Sequence, residues 1–151
     1  MNEIFTRRRE LNVAGRAPGG HYSAAVIAGG LVFLAGQTPR DENRKVIGET
    51  IEEQTQATLD NLECALSAAG GSLKDLVKVT VYLTDLSMFP RFNAVYASRF
   101  CEAKPARATV ECGLQGVMVE IDGIAHISAQ HAAVEEDKNL PGWPFKSPFG
   151  T

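Results

Sequence analysis

The sequence predicts an α+β domain, a β-sheet with two helices packed on one of its faces. Three observations predict it. Two short apolar runs, Ser23–Ala28 and Leu31–Gly36, are split by the glycine pair Gly29-Gly30, as in a hairpin. Apolar positions from Ile51 to Ala69 recur at spacings of three and four, the period of an amphipathic helix. Val77–Leu83 then alternates apolar and polar side chains, as a half-buried strand does.

In chain order, residues 1–20 are polar and carry glycine and proline, with short edge strands possible at Ile4-Phe5 and Leu11-Asn12-Val13. The hairpin follows from Tyr22, and its second run lacks alternation, the pattern of a strand covered on both faces. After the polar connection Gln37–Asn43, Thr50 with Glu53 three residues on fits a capping box and opens the first helix. Its predicted stripe is Ile51, Thr55, Leu59, Leu62, Leu66 and Ala69, and Gly70-Gly71 supplies a left-handed stop. A turn at Ser72–Asp75 leads into the strand Val77–Leu83. A second helix is predicted from about Met88 to Phe100, with Phe89, Phe92, Val95, Tyr96 and Phe100 facing inward. Strands at Ala108–Cys112 and Val117–Ser128 complete the order, the latter broken softly by Gly123. The tail 138–151 holds Trp143, Phe145 and Phe149 among prolines, so it is expected to dock on its own or a neighbouring subunit rather than to form regular structure. Helices on one face leave the other face of the sheet apolar, and a domain of this size covers such a face by oligomerising.

A chain of 151 residues fits one domain, 1–151, with a core of about 20–130. The formal net charge is only -3, and no basic cluster continues beyond Arg7-Arg8-Arg9, which gives no support for nucleic-acid binding. The first ten residues lack a signal-peptide core, and no stretch approaches the roughly 18–20 apolar residues of a membrane span. No membrane association and a cytoplasmic location are therefore expected. Cys64, Cys101 and Cys112 are odd in number and widely spaced, so they read as reduced thiols. His21, His126 and His131 are scattered without metal-ligand spacing, and there is no P-loop or G-x-G-x-x-G.

Chemistry concentrates in Pro105–Glu111 and in the apolar run Val117–Ile121. Arg107 is a fixed cation whose planar fork matches a carboxylate bidentately. Glu120 sits between Val119 and Ile121, where a bare carboxylate is costly without a partner or a task. Together they suggest a site for a small carboxylic acid. The plainer reading is an edge-strand arginine and a solvent-facing glutamate, since paired charges are also common in structural networks.

The segments Gly20-His21-Tyr22-Ser23, Leu31–Gln37, Ile51–Thr55, Lys78–Asp85, Phe92–Tyr96, Pro105–Val110 and Val119-Glu120-Ile121, in this order, resemble the Rid family of reactive intermediate deaminases, also called the YjgF or L-PSP endoribonuclease family. The resemblance covers roughly Gly20 to Ala129. It implies a chorismate-mutase-like α+β fold with a mixed sheet, a homotrimer with clefts between subunits, and hydrolysis of enamine/imine intermediates such as 2-aminoacrylate to a 2-keto acid and ammonia. Carried over residue by residue, Arg107 matches the arginine that binds the substrate carboxylate, and Glu120 the carboxylate that holds or activates water. Tyr22, Asn93 and Gly36 match substrate-binding positions near the cleft. The resemblance implies no cofactor and no metal, because an imine is already electrophilic and needs an anion clamp, a positioned water and a proton shuttle.

Two departures touch the site. His21 stands where a proline is usual, and as a near-neutral titrating group beside Tyr22 it is a candidate substrate contact. Thr109 stands where the best-known members have a cysteine, which changes the pocket wall. Glycine-histidine-aromatic and the extended tail are similar to members that deaminate 2-aminomuconate-type intermediates in aromatic catabolism, so a pathway-specific deaminase is one alternative. A non-catalytic module binding a small carboxylate is another. A ribonuclease lacks support from a basic groove or stacking platform.

Overall fold

The structure, a computed structural model, describes residues 8–127; the expectations for Ile4-Phe5, His131 and the tail 138–151 lie outside the described residues. Six strands and two helices make one mixed sheet with the helices on one face: β1 (Arg9–Leu11), β2 (Ala25–Ala28), β3 (Leu31–Gln37), α1 (Ile51–Ala68), β4 (Leu76–Leu83), α2 (Phe89–Arg99), β5 (Ala106–Glu111) and β6 (Val119–His126). The strand order is β1-β2-β3-β6-β4-β5. All neighbours are antiparallel except β4 and β5, which run parallel because α2 forms the crossover between them.

The local chemistry explains the elements. Gly29 and Gly30, at φ +59° and +79°, join Ala28 directly to its partner Leu31, the two-residue turn whose twist matches the strands it connects. At the start of α1 the Thr50 hydroxyl accepts from the Glu53 amide at 3.2 Å, while Glu53 Oε2 accepts from the Glu49 and Thr50 amides. The predicted stripe is buried from Ile51 through Ala69. Thr55 and Thr58 are tolerated inside because their hydroxyls donate to the carbonyls of Ile51 and Gln54 at 2.7 Å. Gly70, at φ +81°, ends the helix, with its own amide and that of Gly71 returning to the Ser67 and Leu66 carbonyls.

α2 follows α1 in the same direction. Arg91 pairs with Glu52 near their starts, and Arg99 with Asp60 and Glu63 further along. Phe92, Tyr96 and Phe100 are buried as expected, while Phe89 and Val95 are only half-buried at the margin. The core lies between these helices and the face of the sheet carrying Val32, Val79, Val81, Leu83, Val119 and Ile121, all fully buried. At Gly123 a Cβ would lie 2.8 Å from a Leu76 methyl and 3.1 Å from the Lys78 carbonyl, so the glycine that interrupts the β6 pattern lets β4 approach.

One expectation is corrected. β3 is not covered on both faces within the protomer: Phe33 is 42% exposed, on the side away from the helices. Val110 of β5, in register with Tyr82, shares that open face and is 40% exposed. The unbroken apolar run thus marks a strand with helices on one side and an uncovered apolar surface on the other.

Replacing Thr50 with alanine removes one half of the capping box. It is expected to cost about 1 kcal/mol, read as a lower urea midpoint with an unchanged denaturant slope. An unchanged midpoint would mean that the helix start is held by packing alone.

Candidate functional site

Of the seven residues singled out in the sequence, Arg107, Asn93 and Thr109 fall into one group and Glu120 and Gly36 into another, and the pleat of the sheet separates the two. Arg107 lies on β5, the outer strand, in register with Val79. Residues in register share a face, so its side chain leaves the sheet on the helix side, toward α2. There Arg107 Nη1 donates to Asn93 Oδ1 at 2.8 Å, and the guanidinium carbon lies 4.5 Å from the Tyr96 ring centroid, 5.4 Å from Phe89 and 5.9 Å from Phe92. Three aromatic rings and an amide oxygen hold the cation. No carboxylate among the described residues forms a salt bridge with it, so the charge remains available to an external anion. Thr109, in register with Val81, stands on the same face two residues along.

Tyr96 is part of this seat in a way the sequence reading did not assign. Its ring stacks beneath the guanidinium and on Phe100, and its buried hydroxyl has no hydrogen-bond partner among the described residues. Burial pushes the phenol upward from its usual pKa, with Arg107 pulling the other way. Read only as core, its helical spacing hid the second role.

The other group is built around Glu120, in register with Tyr82 on β4. Tyr82 and Thr80 alternate with the buried Val79 and Val81, so Glu120 and Asp122 leave the sheet on the open face. Tyr82 donates its hydroxyl to Asp122 Oδ2 at 3.0 Å, and Glu120 accepts no hydrogen bond from a described residue. Desolvation first, and the neighbouring Asp122 second, hold the Glu120 carboxyl above its ordinary value. Asp122 was legible as the residue two along on the same face, but alternation matters only once Glu120 is known to be the reference.

Gly36 touches this carboxylate: a Cβ there would collide with Glu120 Oε1. Only a glycine leaves room for the acid and for whatever approaches it. Tyr22 is half-exposed, its hydroxyl accepting from the Gly19 amide at 3.1 Å, and it lines with Gly36 a shallow pocket between the 13–24 and 36–44 segments. His21 is exposed, and no hydrogen bond or salt bridge among the described residues joins it to Glu120.

Arg107, Asn93 and Thr109 therefore form one half-site on the helix face, and Glu120 with Gly36 a second on the open face, while Tyr22 shares with Gly36 a pocket that Glu120 does not line and His21 joins neither group. Within one protomer the guanidinium and the carboxylate do not meet. Among the described residues no three His, Cys, Asp or Glu side chains converge to hold a metal ion. The first half-site presents a cation without a carboxylate partner among the described residues, and the second a half-buried carboxylate.

Comparison with known proteins agrees with the fold. The family model described as Endoribonuclease L-PSP matches residues 14–127. A RutC family protein of Pyrococcus horikoshii is 45% identical over 112 residues, covering 72% of this chain and 89% of the relative. The mitochondrial protein mmf2 of Schizosaccharomyces pombe is 43% identical, covering 71% and 88%. Among solved structures, RidA from an Antarctic Psychrobacter superposes with a TM-score of 0.73 at 36% identity, covering 79% of this chain and all of that one. The chain thus belongs to the endoribonuclease L-PSP family, the group of the RutC- and Rid-named proteins.

Proposed function

We propose that the protein is an enamine/imine deaminase that hydrolyses 2-aminoacrylate-type intermediates to 2-keto acids and ammonia, in a cleft assembled between copies of the chain as a homotrimer. The observation that carries the reading is the Arg107 seat. A guanidinium braced by three rings and Asn93, with no carboxylate paired to it among the described residues, is preorganised for the carboxylate of a small 2-imino acid. The split between the half-sites supports assembly across copies, since the open apolar face needs a cover and Glu120 needs an Arg107 from elsewhere.

In this reading the enamine tautomerises to the imine, whose carboxylate sits on Arg107. A water held by Glu120 attacks the imine carbon, forming the C–O bond as the carbon–nitrogen π electrons move to nitrogen. Glu120 takes a proton from the attacking water and returns it to the nitrogen. Glu120 next takes the proton of the new hydroxyl and gives it to the amine, so that the C–N bond breaks, ammonia leaves and the carbonyl forms. A half-buried carboxyl held above its ordinary pKa is suited to taking and giving that proton. The cytoplasm is the proposed compartment; the fission yeast relatives carry mitochondrial names, and the same chemistry serves in either.

Arg107→Ala is expected to lower kcat/KM for enzymatically generated 2-aminoacrylate roughly 100-fold, the loss of a charge-assisted contact of about 3 kcal/mol. Unchanged turnover, followed by pyruvate release, would remove the clamp from the mechanism. Glu120→Gln is expected to lower kcat by about 100-fold or more while 2-keto acids still bind. Wild-type binding without any turnover would instead support a non-catalytic carboxylate-binding module.

The raised Glu120 pKa also has a sign in stability. The folded state holds the proton more tightly than the unfolded chain, so Glu120 favours folding below its ordinary value of 4.5, and that contribution is lost as pH rises through the folded value. In an Arg107→Ala background, where no guanidinium from a second copy offsets desolvation, Glu120→Gln is expected to raise the urea midpoint at about pH 7 and to leave it unchanged at about pH 4. An equal gain at both pH values would contradict the assignment.

A further inference from the structure

Among the described residues, the one buried side-chain nitrogen or oxygen without a hydrogen-bond partner is the Tyr96 hydroxyl. Comparable groups are all engaged. The buried Thr55 and Thr58 hydroxyls donate to helix carbonyls, Tyr82 donates to Asp122, and Tyr22 accepts from the Gly19 amide. Tyr96 is 6% exposed, and the rings that follow one another along its side of α2 are otherwise phenylalanines, Phe89, Phe92 and Phe100. A fourth phenylalanine would pack there without desolvating an oxygen. The hydroxyl therefore weakens the unliganded fold and has no role in its packing.

Its neighbour is the Arg107 guanidinium, 4.5 Å above the ring centroid and the one charged group that acts on the phenol. A guanidinium has five N–H donors. Among the described residues only one of these, on Nη1, meets an acceptor, Asn93 Oδ1 at 2.8 Å. An acceptor without a donor thus stands beside a fork with donors to spare, and the two are not aligned for a hydrogen bond. Asn93 and Tyr96 are three residues apart on α2, so they are neighbours on its surface. A guanidinium that donates to both rests one edge on the helix and presents the other outward.

We propose that Tyr96 is a positioning residue for Arg107: when a carboxylate occupies the seat, the guanidinium turns to donate to the Tyr96 hydroxyl as well as to Asn93, which holds the opposite edge of the fork in line with the ligand. The proposal rests on the deaminase reading for what Arg107 binds. The hydroxyl is too deeply buried to touch the ligand, so it acts through the guanidinium. A polar group left unpaired in the empty seat and paired in the filled one makes ligand binding more favourable than the aromatic stack and Asn93 alone would.

The test uses pyruvate, the keto acid that 2-aminoacrylate would yield, titrated calorimetrically into the full-length protein, into Tyr96→Phe and into Arg107→Ala, with urea midpoints measured without ligand. Tyr96→Phe removes the oxygen and keeps the ring, its packing and its face toward the cation. The expected result is stability and affinity moving in opposite directions. The urea midpoint of Tyr96→Phe is no lower than that of the wild type, while pyruvate binds about fivefold more weakly, and in turnover the loss falls on KM rather than kcat. Pyruvate affinity within about twofold of the wild type, a loss confined to kcat, or a lowered urea midpoint, which would reveal a structural partner for the hydroxyl, would each overturn the proposal. Arg107→Ala reports separately on the clamp. Pyruvate binding that does not depend on Arg107 counts against the deaminase site itself, whereas binding that needs Arg107 and is indifferent to the Tyr96 hydroxyl overturns this proposal alone.

Discussion

The alternation of side chains along β4 is the constraint on which the site depends. This strand lies between β6 and β5, and its registers with both neighbours run without a shift from Val79 to Leu83. One face of that stretch is Val79, Val81 and Leu83, buried under the helices; the other is Thr80 and Tyr82. Because a strand has a period of two, everything paired to β4 inherits one face or the other. Arg107 inherits the helix face through Val79, and Glu120 the open face through Tyr82. A slip of one residue in the β6 ladder would turn Glu120 to the helix face, and it would also turn Val119 and Ile121 out of the core. The burial of the core therefore fixes the face from which Glu120 emerges, while Arg107 on β5 is placed by its register with Val79 and by its seat on α2.

The same constraint explains why the two groups are held so differently. Arg107 stands on an outer strand with one neighbour, so the sheet alone does little to orient it. Orientation comes from α2, whose inward residues Phe92 and Tyr96 serve the core and carry the guanidinium at once, with Asn93 and Phe89 completing the seat. Glu120 stands on an inner strand between β3 and β4 and is oriented by its backbone. What it lacks is a partner, and its surroundings, the Gly36 backbone on one side and the Tyr82–Asp122 pair on the other, favour its protonated form. In the proposed reading the Arg107 seat and the unpartnered acid are complementary, and the exposed Phe33 and Val110 on the open face offer a place for a second copy to bring them together.

Much of the fold was legible because it rests on local signals. The Thr50–Glu53 cap, the α1 stripe, the Gly29-Gly30 turn and the alternation of β4 each depend on residues close in sequence. β3 was misread as covered on both faces because apolar residues on an open face and on a buried face look alike in sequence; Phe33 is of the first kind. In the site, Arg107 and Glu120 were identifiable as residues, but their opposite directions depend on strand order and register between segments far apart in the chain. The Tyr96 hydroxyl was passed over for a similar reason: helical spacing reads the ring as core, and neither the lack of a partner among the described residues nor the approach of Arg107 is written in local composition.

The claim that most needs testing is that a working site takes Arg107 from one copy of the chain and Glu120 from another. The direct measurement is subunit complementation: Arg107→Ala and Glu120→Gln chains are unfolded together, refolded as a mixture and assayed for imine hydrolysis beside each variant refolded alone. Assembly from two copies predicts that the mixture regains activity, with about a quarter of the sites intact under random assortment in a closed ring. Activity no greater than the average of the separate variants, in mixtures verified by native mass measurement to contain both chains, would contradict the account.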